Sequence, residues 1–297
     1  MQHGVQPIRV FYDYIEADFL GIRTSLNELK PNKNIDKVVL EVLTINSKVI
    51  GPSTNGTKIT LHDTFLSFLW AYIYSIVVTA PMGGKEVTQD ENLKARELRN
   101  YAISLMQEYH IWDKENLPNP ELFEKDEKRF IGVANSVFIA SVRFIFLHEF
   151  AHIYLEHPFV SSHLWIPENI HKMEVDADNV AILWAIHNFE PNNEFTDKLS
   201  LITALNSLSF SPSKFHSYDT HPSPEDRILL CLERLKIEDN DFLWGYALWS
   251  IMEWQTNFEL FYLPVSYKQG DNLKEHFLNL IKELKEYKNT GISKLKK

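Results

Sequence analysis

Strand-forming patterns stop after the first 60 residues of this chain, and this limits the fold more than any other feature. Before that point, residues 38–45 (VVLEVLTI) are rich in β-branched side chains and predict a strand. Residues 48–50 and 58–61 flank an Asn55-Gly56 pair, which predicts a hairpin or a short ladder. Farther along, apolar residues recur at helical spacing between short polar loops. We therefore expect a mostly helical α+β fold with a small N-terminal sheet.

Eight segments carry the helical pattern. They cover residues 65–80, 91–109, 129–157, 171–188, 196–207, 224–235, 242–257 and 273–287. The polar stretch 113–126 contains two prolines and predicts a joint. It separates a mixed N-terminal region, residues 1–126, from a helical region, residues 127–297. The two regions either form separate units or combine into one compact unit.

Composition and charge exclude several classes of protein. The 297 residues can bury a sizeable core without disulfides, and a net charge of −10 argues against broad nucleic-acid binding. The single cysteine, Cys231, excludes an internal disulfide, indicates a reducing compartment and is predicted to be a buried small hydrophobe. Residues 1–14 lack the basic and then apolar pattern of a secretory signal. We expect a cytoplasmic protein.

One apolar stretch raises the question of membrane contact. Residues 64–84 contain no charged side chain, but Pro81 and Gly83 should end the helix near residue 80. The remaining helix would be about 24 Å long, whereas a span needs roughly 20 apolar residues. It is predicted to be a buried core helix with Asp63 or Thr64 as its N-cap. Peripheral association of this stretch with the inner membrane is the alternative.

The segment from His148 to His152 reads His-Glu-x-x-His at the end of a long apolar helix. Residues four apart share a helix face, so the two imidazoles can bind one Zn²⁺. Glu149 is rotated by about 100° and is predicted to take a proton from a metal-activated water. The motif alone also fits a helix with two partly exposed histidines.

A catalytic zinc needs a third protein ligand and an open position for water. Glu174 lies on the next predicted helix and is the predicted third ligand. Asp178 is four residues later on the same face and can accept the outer N–H of a ligand histidine. Two solvated surface acids are the alternative interpretation. Three residues between the motif helices are alternative third ligands: His163, Glu168 and His171.

A third element begins at His221, in the turn before a predicted helix. Ser223 can cap that helix and Pro224 can open it. The rigid turn would let the imidazole stabilise the oxyanion formed when water attacks a peptide carbonyl. Arg227 faces back towards the turn and can pair with an acid of the site. Taken alone, His221 would be an ordinary loop histidine.

Three other features have ordinary structural interpretations as well as functional ones. His157 is predicted to lie at a helix end and not to be a ligand, and Tyr218 is a weaker candidate oxyanion donor. Residues 242–265 are rich in aromatic side chains. These predict core packing, with a wall of the substrate cleft or a platform for a protein partner as the alternative.

In this order, the three elements from His148 to Arg227 resemble the gluzincin zinc peptidases. The His-Pro-x-x-x-x-Arg element is similar to the branch with the heat-shock and CAAX-processing membrane endopeptidases, and to the Lit-type phage-exclusion peptidases of bacteria. Several strong transmembrane segments of the membrane enzymes are missing, so the sequence resembles the Lit type more. The resemblance implies a zincin-like catalytic core. It also implies one zinc ion held by His148, His152 and Glu174, with catalytic Glu149 and His221 and supporting Asp178 and Arg227.

The resemblance further implies an intracellular peptidase that cleaves elongation factor Tu during phage infection, after a phage peptide binds that factor, and so stops translation. Zincin folds commonly add the substrate as a strand, here at a sheet edge within residues 38–61. One alternative is a soluble regulatory peptidase that cleaves a repressor or a stress protein. Another is a non-catalytic zinc or protein-binding module, which Glu149 disfavours because structural zinc sites need no base.

Overall fold

The computed structural model describes residues 6–30, 35–80, 86–122, 129–189, 193–208, 221–257 and 272–290. Helices dominate these ranges and a single small sheet accompanies them, so the prediction of a mostly helical α+β fold is confirmed. The helices are α1 (Tyr12–Leu29), α2 (Asp63–Thr79), α3 (Gln89–Leu105), α4 (Arg129–Tyr154), α5 (Pro167–His187), α6 (Glu194–Leu208), α7 (Pro224–Leu235), α8 (Phe242–Asn257) and α9 (Leu273–Thr290). The strands are β1 (Val39–Leu43), β2 (Ser53–Thr54) and β3 (Lys58–His62).

The sheet has the strand order β1-β3-β2, with β1 parallel and β2 antiparallel to β3. The predicted hairpin is present at Asn55-Gly56, where Gly56 has a φ of 90° and the Asn55 side chain accepts hydrogen bonds from the backbone N–H groups of Thr57 and Lys58. The prediction that residues 48–50 form the strand before the turn is wrong. The backbone N–H of Val49 donates instead to the carbonyl of Leu105 at the end of α3. The short strand β2 therefore forms the outer edge beside the turn.

Helix α1 was not predicted, although it carries an apolar stripe. Ile15, Phe19 and Leu26 are buried and recur at helical spacing. Phe19 packs its ring against Phe146 and Phe150 of α4, with centroid distances of 5.5 and 5.4 Å. The N-terminal helix is therefore tied to the helix that carries the His-Glu-x-x-His motif.

Helix α2 is a core helix, as predicted. All of its residues from Asp63 to Val78 are buried, and α3, α4 and α6 pack against it. Neither Asp63 nor Thr64 is the N-cap; that position is His62. The Asp63 carboxylate instead accepts hydrogen bonds from Arg9 and from the hydroxyl of Tyr12, which satisfies a buried charge.

Helix α4 runs through the centre of the molecule and has apolar residues on nearly every face. Within the described ranges, its Phe130–Tyr154 segment is long and apolar enough to cross a membrane. However, 61% of the most apolar window is buried in the protein, which is typical of a core helix. The helix ends at Tyr154, three residues before the predicted end, because Glu156 adopts a left-handed φ of 64° and reverses the chain.

One hydrophobic core includes residues from both sides of position 126, and the proposed boundary itself lies outside the described residues. Cys231 is fully buried on α7, as predicted. In the aromatic stretch, Trp244 and Tyr246 lie in the core, as predicted. Residues 258–265 and Tyr218 lie outside the described residues. Helices α4, α5 and α7 pack side by side and place the three sequence elements at one end of the core.

Candidate metal centre

The last turns of α4 bring two imidazoles together. His148 and His152 are one helical turn apart, and their Nε2 atoms lie 3.1 Å from each other. Both side chains are almost completely buried, with 6% and 13% of their surface exposed. The sequence places them there because a spacing of four residues keeps side chains on one helix face.

Helix α5 supplies the third donor. The carboxylate of Glu174 lies 3.4 Å from His148 Nε2 and 3.5 Å from His152 Nε2. Two donors bound tetrahedrally at about 2.0–2.1 Å from one zinc ion are about 3.3–3.4 Å apart. The three observed separations are close to this value. The residues present therefore fit a tetrahedral metal ion with one position open, and they form the group in the described residues that could hold one.

The alternative third ligands lie away from this group. His163 belongs to a short exposed 3-10 turn, Ser162–Leu164, and Glu168 is exposed in the first turn of α5. His171 lies one turn before Glu174 and, like the other two, is neither part of the donor group nor a residue that lines the cleft. Packing of α5 against α4 thus brings Glu174 to the histidines in preference to its neighbours.

The outer nitrogen of His148 meets a buried ion pair. Its Nδ1 lies 2.9 Å from Asp178 Oδ1. Arg227 of α7 donates to both oxygens of the same carboxylate, at 2.7 and 2.6 Å. Asp178 and Arg227 are nearly inaccessible to solvent. The carboxylate is therefore fixed by a bidentate contact and in turn fixes the ring of His148.

The charges around the donors favour a cation at this point. Burial would lower the pKa of His148, but Asp178 and Glu174 raise it to about 10. Burial and the neighbouring His148 lower the pKa of His152 to about 3. Burial would raise the pKa of Glu174, but hydrogen bonding and attraction to His148 lower it. One positive charge is thus strongly stabilised between the carboxylates, and a metal ion can supply it in place of the proton.

Glu149 stands beside the donors and lines the same cleft. The residue is 6% exposed, and burial is the main reason why the pKa of its carboxyl group is raised to about 7. A carboxylate with a pKa near neutrality can both accept and return a proton at physiological pH. The position and the pKa of Glu149 therefore suit the general base that the motif predicts.

The cleft has a volume of about 360 Å³ and opens beside the sheet edge. One wall is formed by residues 51–54, which include β2. Residues of α5 and the preceding loop also line the cleft, and in that loop Trp165 is half exposed and its indole N–H donates to the carbonyl of Val160. The sheet edge predicted within residues 38–61 lies at the site.

His221 also reaches this cleft. Its Nε2 lies 3.6 Å from Glu174 Oε1, and 40% of its side chain is exposed. The predicted helix start is present: Ser223 is the N-cap, its side chain accepts from the N–H of Asp226, and Pro224 opens α7. The turn therefore holds the imidazole at the rim of the donor group.

His157 lies next to the donor group, although the sequence predicted only a histidine at a helix end. His157 lies in the 3-10 turn His157–Phe159, and its Nδ1 is 2.9 Å from Nδ1 of His152. The left-handed Glu156 turns the chain back on α4 and creates this contact. A proline at position 158 signals a helix end, but no sequence pattern indicates the direction in which the chain turns.

A helical fold that places two histidines, two glutamates and a sheet edge around one open cleft is typical of a hydrolase with a metal centre. The chain belongs to the Peptidase U49 family, whose family model matches residues 59–247. It is 25% identical over 238 residues to the cell death peptidase of Escherichia coli (strain K12), a match that covers 71% of this chain and 78% of that relative. No solved structure matches the chain.

These comparisons confirm the resemblance to the Lit-type peptidases, and the protein is a peptidase. The family match begins well before the motifs and includes α2 and α3, for which the sequence showed no family motif. The matched range therefore includes most of β3, the helices α2 to α7 and the donor group, and it ends within α8.

Proposed function

We propose that this protein is a zinc-dependent endopeptidase whose zinc ion is held by His148, His152 and Glu174. The spacing of the three donors, 3.1–3.5 Å, is the observation that carries the proposal. Two nitrogens and one carboxylate, with an open position towards a cleft, are the donor set of catalytic zinc in several metallopeptidases. A structural zinc site would be closed and would need no base such as Glu149.

The residues of the chain divide the chemistry among them. Zinc, when bound, supplies a Lewis acid that lowers the pKa of a water towards 7 and polarises the substrate carbonyl. Glu149 accepts the proton of the attacking water and returns it to the leaving amine. His221 donates an N–H to the developing oxyanion from the rim of the cleft. Asp178 and Arg227 hold His148 in the orientation and tautomer that ligation needs.

The substrate is a protein, bound as an extended chain along the edge of the sheet. β2 pairs with β3 on one side, and its residues Ser53 and Thr54 line the cleft. A substrate added beside β2 would have its scissile bond near Glu149 and the donor group. Main-chain hydrogen bonds would provide affinity and the cleft walls specificity.

The cellular role follows by resemblance. The relative is named a cell death peptidase. The resemblance to the Lit type implies cleavage of elongation factor Tu, with a phage peptide as activator. We propose that the protein acts in the cytoplasm and that it does not bind nucleic acid. Helix α2 is buried inside the protein, which disfavours the alternative of peripheral contact with the inner membrane.

Digestion of a bacterial extract tests this function. We expect purified protein, incubated with extract and phage peptide, to convert elongation factor Tu into one pair of fragments. A chelator should prevent cleavage and added zinc should restore it. Cleavage of a repressor or a stress protein in place of elongation factor Tu would favour the alternative of a regulatory peptidase. Cleavage that persists in the presence of chelator would contradict the zinc mechanism.

Glu174→Ala should remove zinc from the protein. Loss of an outer partner of a ligand costs about 10–100-fold in affinity, and loss of a ligand itself should cost more than about 100-fold. Metal content after dialysis and competition with a chromophoric chelator measure the effect. Glu168→Ala, an exposed change on the same helix, is the control. Normal zinc content in Glu174→Ala, with loss in His171→Ala, would contradict the assignment.

His221→Ala should lower turnover while zinc and substrate still bind. An oxyanion donor acts mainly in the transition state, and its loss costs about 2.7–4 kcal/mol, or roughly 10²–10³ in rate. Thermal stability should change little, because the side chain lies at the rim of the cleft. Steady-state kinetics and metal content are the measurements. An unchanged kcat would exclude the donor role, and loss of zinc would make His221 a ligand.

A further inference from the structure

The two ligand histidines of α4 have different outer partners. His148 directs Nδ1 at the buried carboxylate of Asp178, at 2.9 Å. His152 directs Nδ1 at Nδ1 of His157, also at 2.9 Å, with the two rings inclined at 70°. The outer partner of His148 is therefore a carboxylate, and that of His152 is a second imidazole. The contact between His152 and His157 has no role in the mechanism proposed above.

The proton between the two Nδ1 atoms can be assigned from the donor group. Nε2 of His152 faces Glu174 and His148, so ligation requires a lone pair on this nitrogen. A neutral imidazole with a lone pair on Nε2 carries its hydrogen on Nδ1. Nδ1 of His157 must then accept that hydrogen, and the hydrogen of the neutral His157 ring lies on its own Nε2.

We propose that His157 is a positioning residue that accepts a hydrogen bond from Nδ1–H of His152 and thereby holds His152 in the tautomer and orientation needed for metal binding. This inference rests on the proposed metal site. Outer hydrogen bonds of this kind fix the ring of a ligand histidine and raise its basicity. His157 supports His152 as Asp178 supports His148, but it adds no further carboxylate to a site that already contains Glu149, Glu174 and Asp178.

The turn that carries His157 is itself held in place. Glu156 adopts the left-handed conformation, and the N–H of Phe159 donates to the carbonyl of Glu156. The ring of Phe159 lies on Gly56 in the β2–β3 turn, so closely that a Cβ at Gly56 would come within 2.5 Å of the ring. The β2–β3 turn therefore packs against the 3-10 turn that carries His157 and supports its position.

Zinc affinity of the full-length protein tests this role. We expect His157→Ala to weaken zinc binding by about 10–100-fold in competition with a chromophoric chelator. His157→Asn should retain most of the wild-type zinc affinity, because the amide oxygen can take the place of Nδ1 as the hydrogen-bond acceptor. His163→Ala, in the next exposed turn, is the matched control and should bind zinc normally. Thermal unfolding checks that each variant is folded.

The ring nitrogens of the metal-free protein provide a second readout. ¹⁵N NMR should find His152 as the Nδ1–H tautomer in the wild type, with this preference reduced in His157→Ala. Equal zinc affinity in wild type and His157→Ala would overturn the positioning role. If His157→Ala and His157→Asn lose zinc affinity equally, the effect is due to packing and the positioning role is also overturned. A wild-type protein that binds no zinc would instead reject the proposed function, and this inference with it.

Discussion

Glu149→Gln should abolish peptide hydrolysis while zinc binding and the fold are retained. Glutamine has nearly the same size but cannot accept a proton from the attacking water, and loss of a general base costs about 10²–10⁴-fold in rate. Glu149 is not one of the three donors, so metal content should remain near one ion per chain. Single-turnover cleavage of the substrate protein and metal analysis of the same sample measure both properties.

The matched control is Glu168→Gln, an exposed glutamate on the neighbouring helix, which should cleave at the wild-type rate. Near-normal turnover in Glu149→Gln with zinc bound would reject Glu149 as the general base. It would favour the alternative in which this chain is a zinc-binding module and the observed cleavage does not depend on its site. Loss of zinc together with activity would show that Glu149 supports the donors and not the reaction.

Arg227→Met should destabilise the protein by about 3–5 kcal/mol. Arg227 and Asp178 form a bidentate ion pair with 3% and 1% of their side chains exposed. Removal of the guanidinium leaves the buried carboxylate with one cationic partner, His148, which Glu174 shares, and loss of one partner of a buried ion pair carries a cost of this size. Urea unfolding in the presence of a chelator measures the change without a contribution from bound metal.

Two variants make this result specific. Arg234→Met changes an exposed arginine on the same helix and should change stability by less than about 0.5 kcal/mol. The double variant Asp178→Leu/Arg227→Met removes both charges and should recover much of the lost stability, because no charge then remains buried alone. A loss below about 1 kcal/mol in Arg227→Met would contradict the interpretation of this pair as a buried, mutually dependent unit.

Local signals were sufficient to predict most of the helices. Ser223 and Pro224 start α7 at the predicted residue, because a cap and a proline act within one turn. Helix α1 was missed although Ile15, Phe19 and Leu26 carry the stripe. Charged and polar residues between them weaken the pattern, and contact with α4 completes the burial of this stripe.

The sheet shows the same division between local and distant effects. The turn at Asn55-Gly56 was predictable, since glycine is suited to the positive φ that this turn requires. The partner strand was not, because Ser53 and Thr54 have no strong strand pattern and are held by β3. The segment around Val49 resembles a strand more, but its backbone N–H bonds to the end of a distant helix.

By itself, the sequence determined that His148 and His152 share one helix face, because the helical period brings residues four apart together. The order of the motifs also predicted Glu174 as the third donor. Glu174 approaches the two histidines to 3.4–3.5 Å, and Asp178 and His157 contact their outer nitrogens, because of how α5, α7 and one left-handed turn pack around the end of α4. These distances depend on side-chain packing between segments far apart in the chain, which only the tertiary structure could decide.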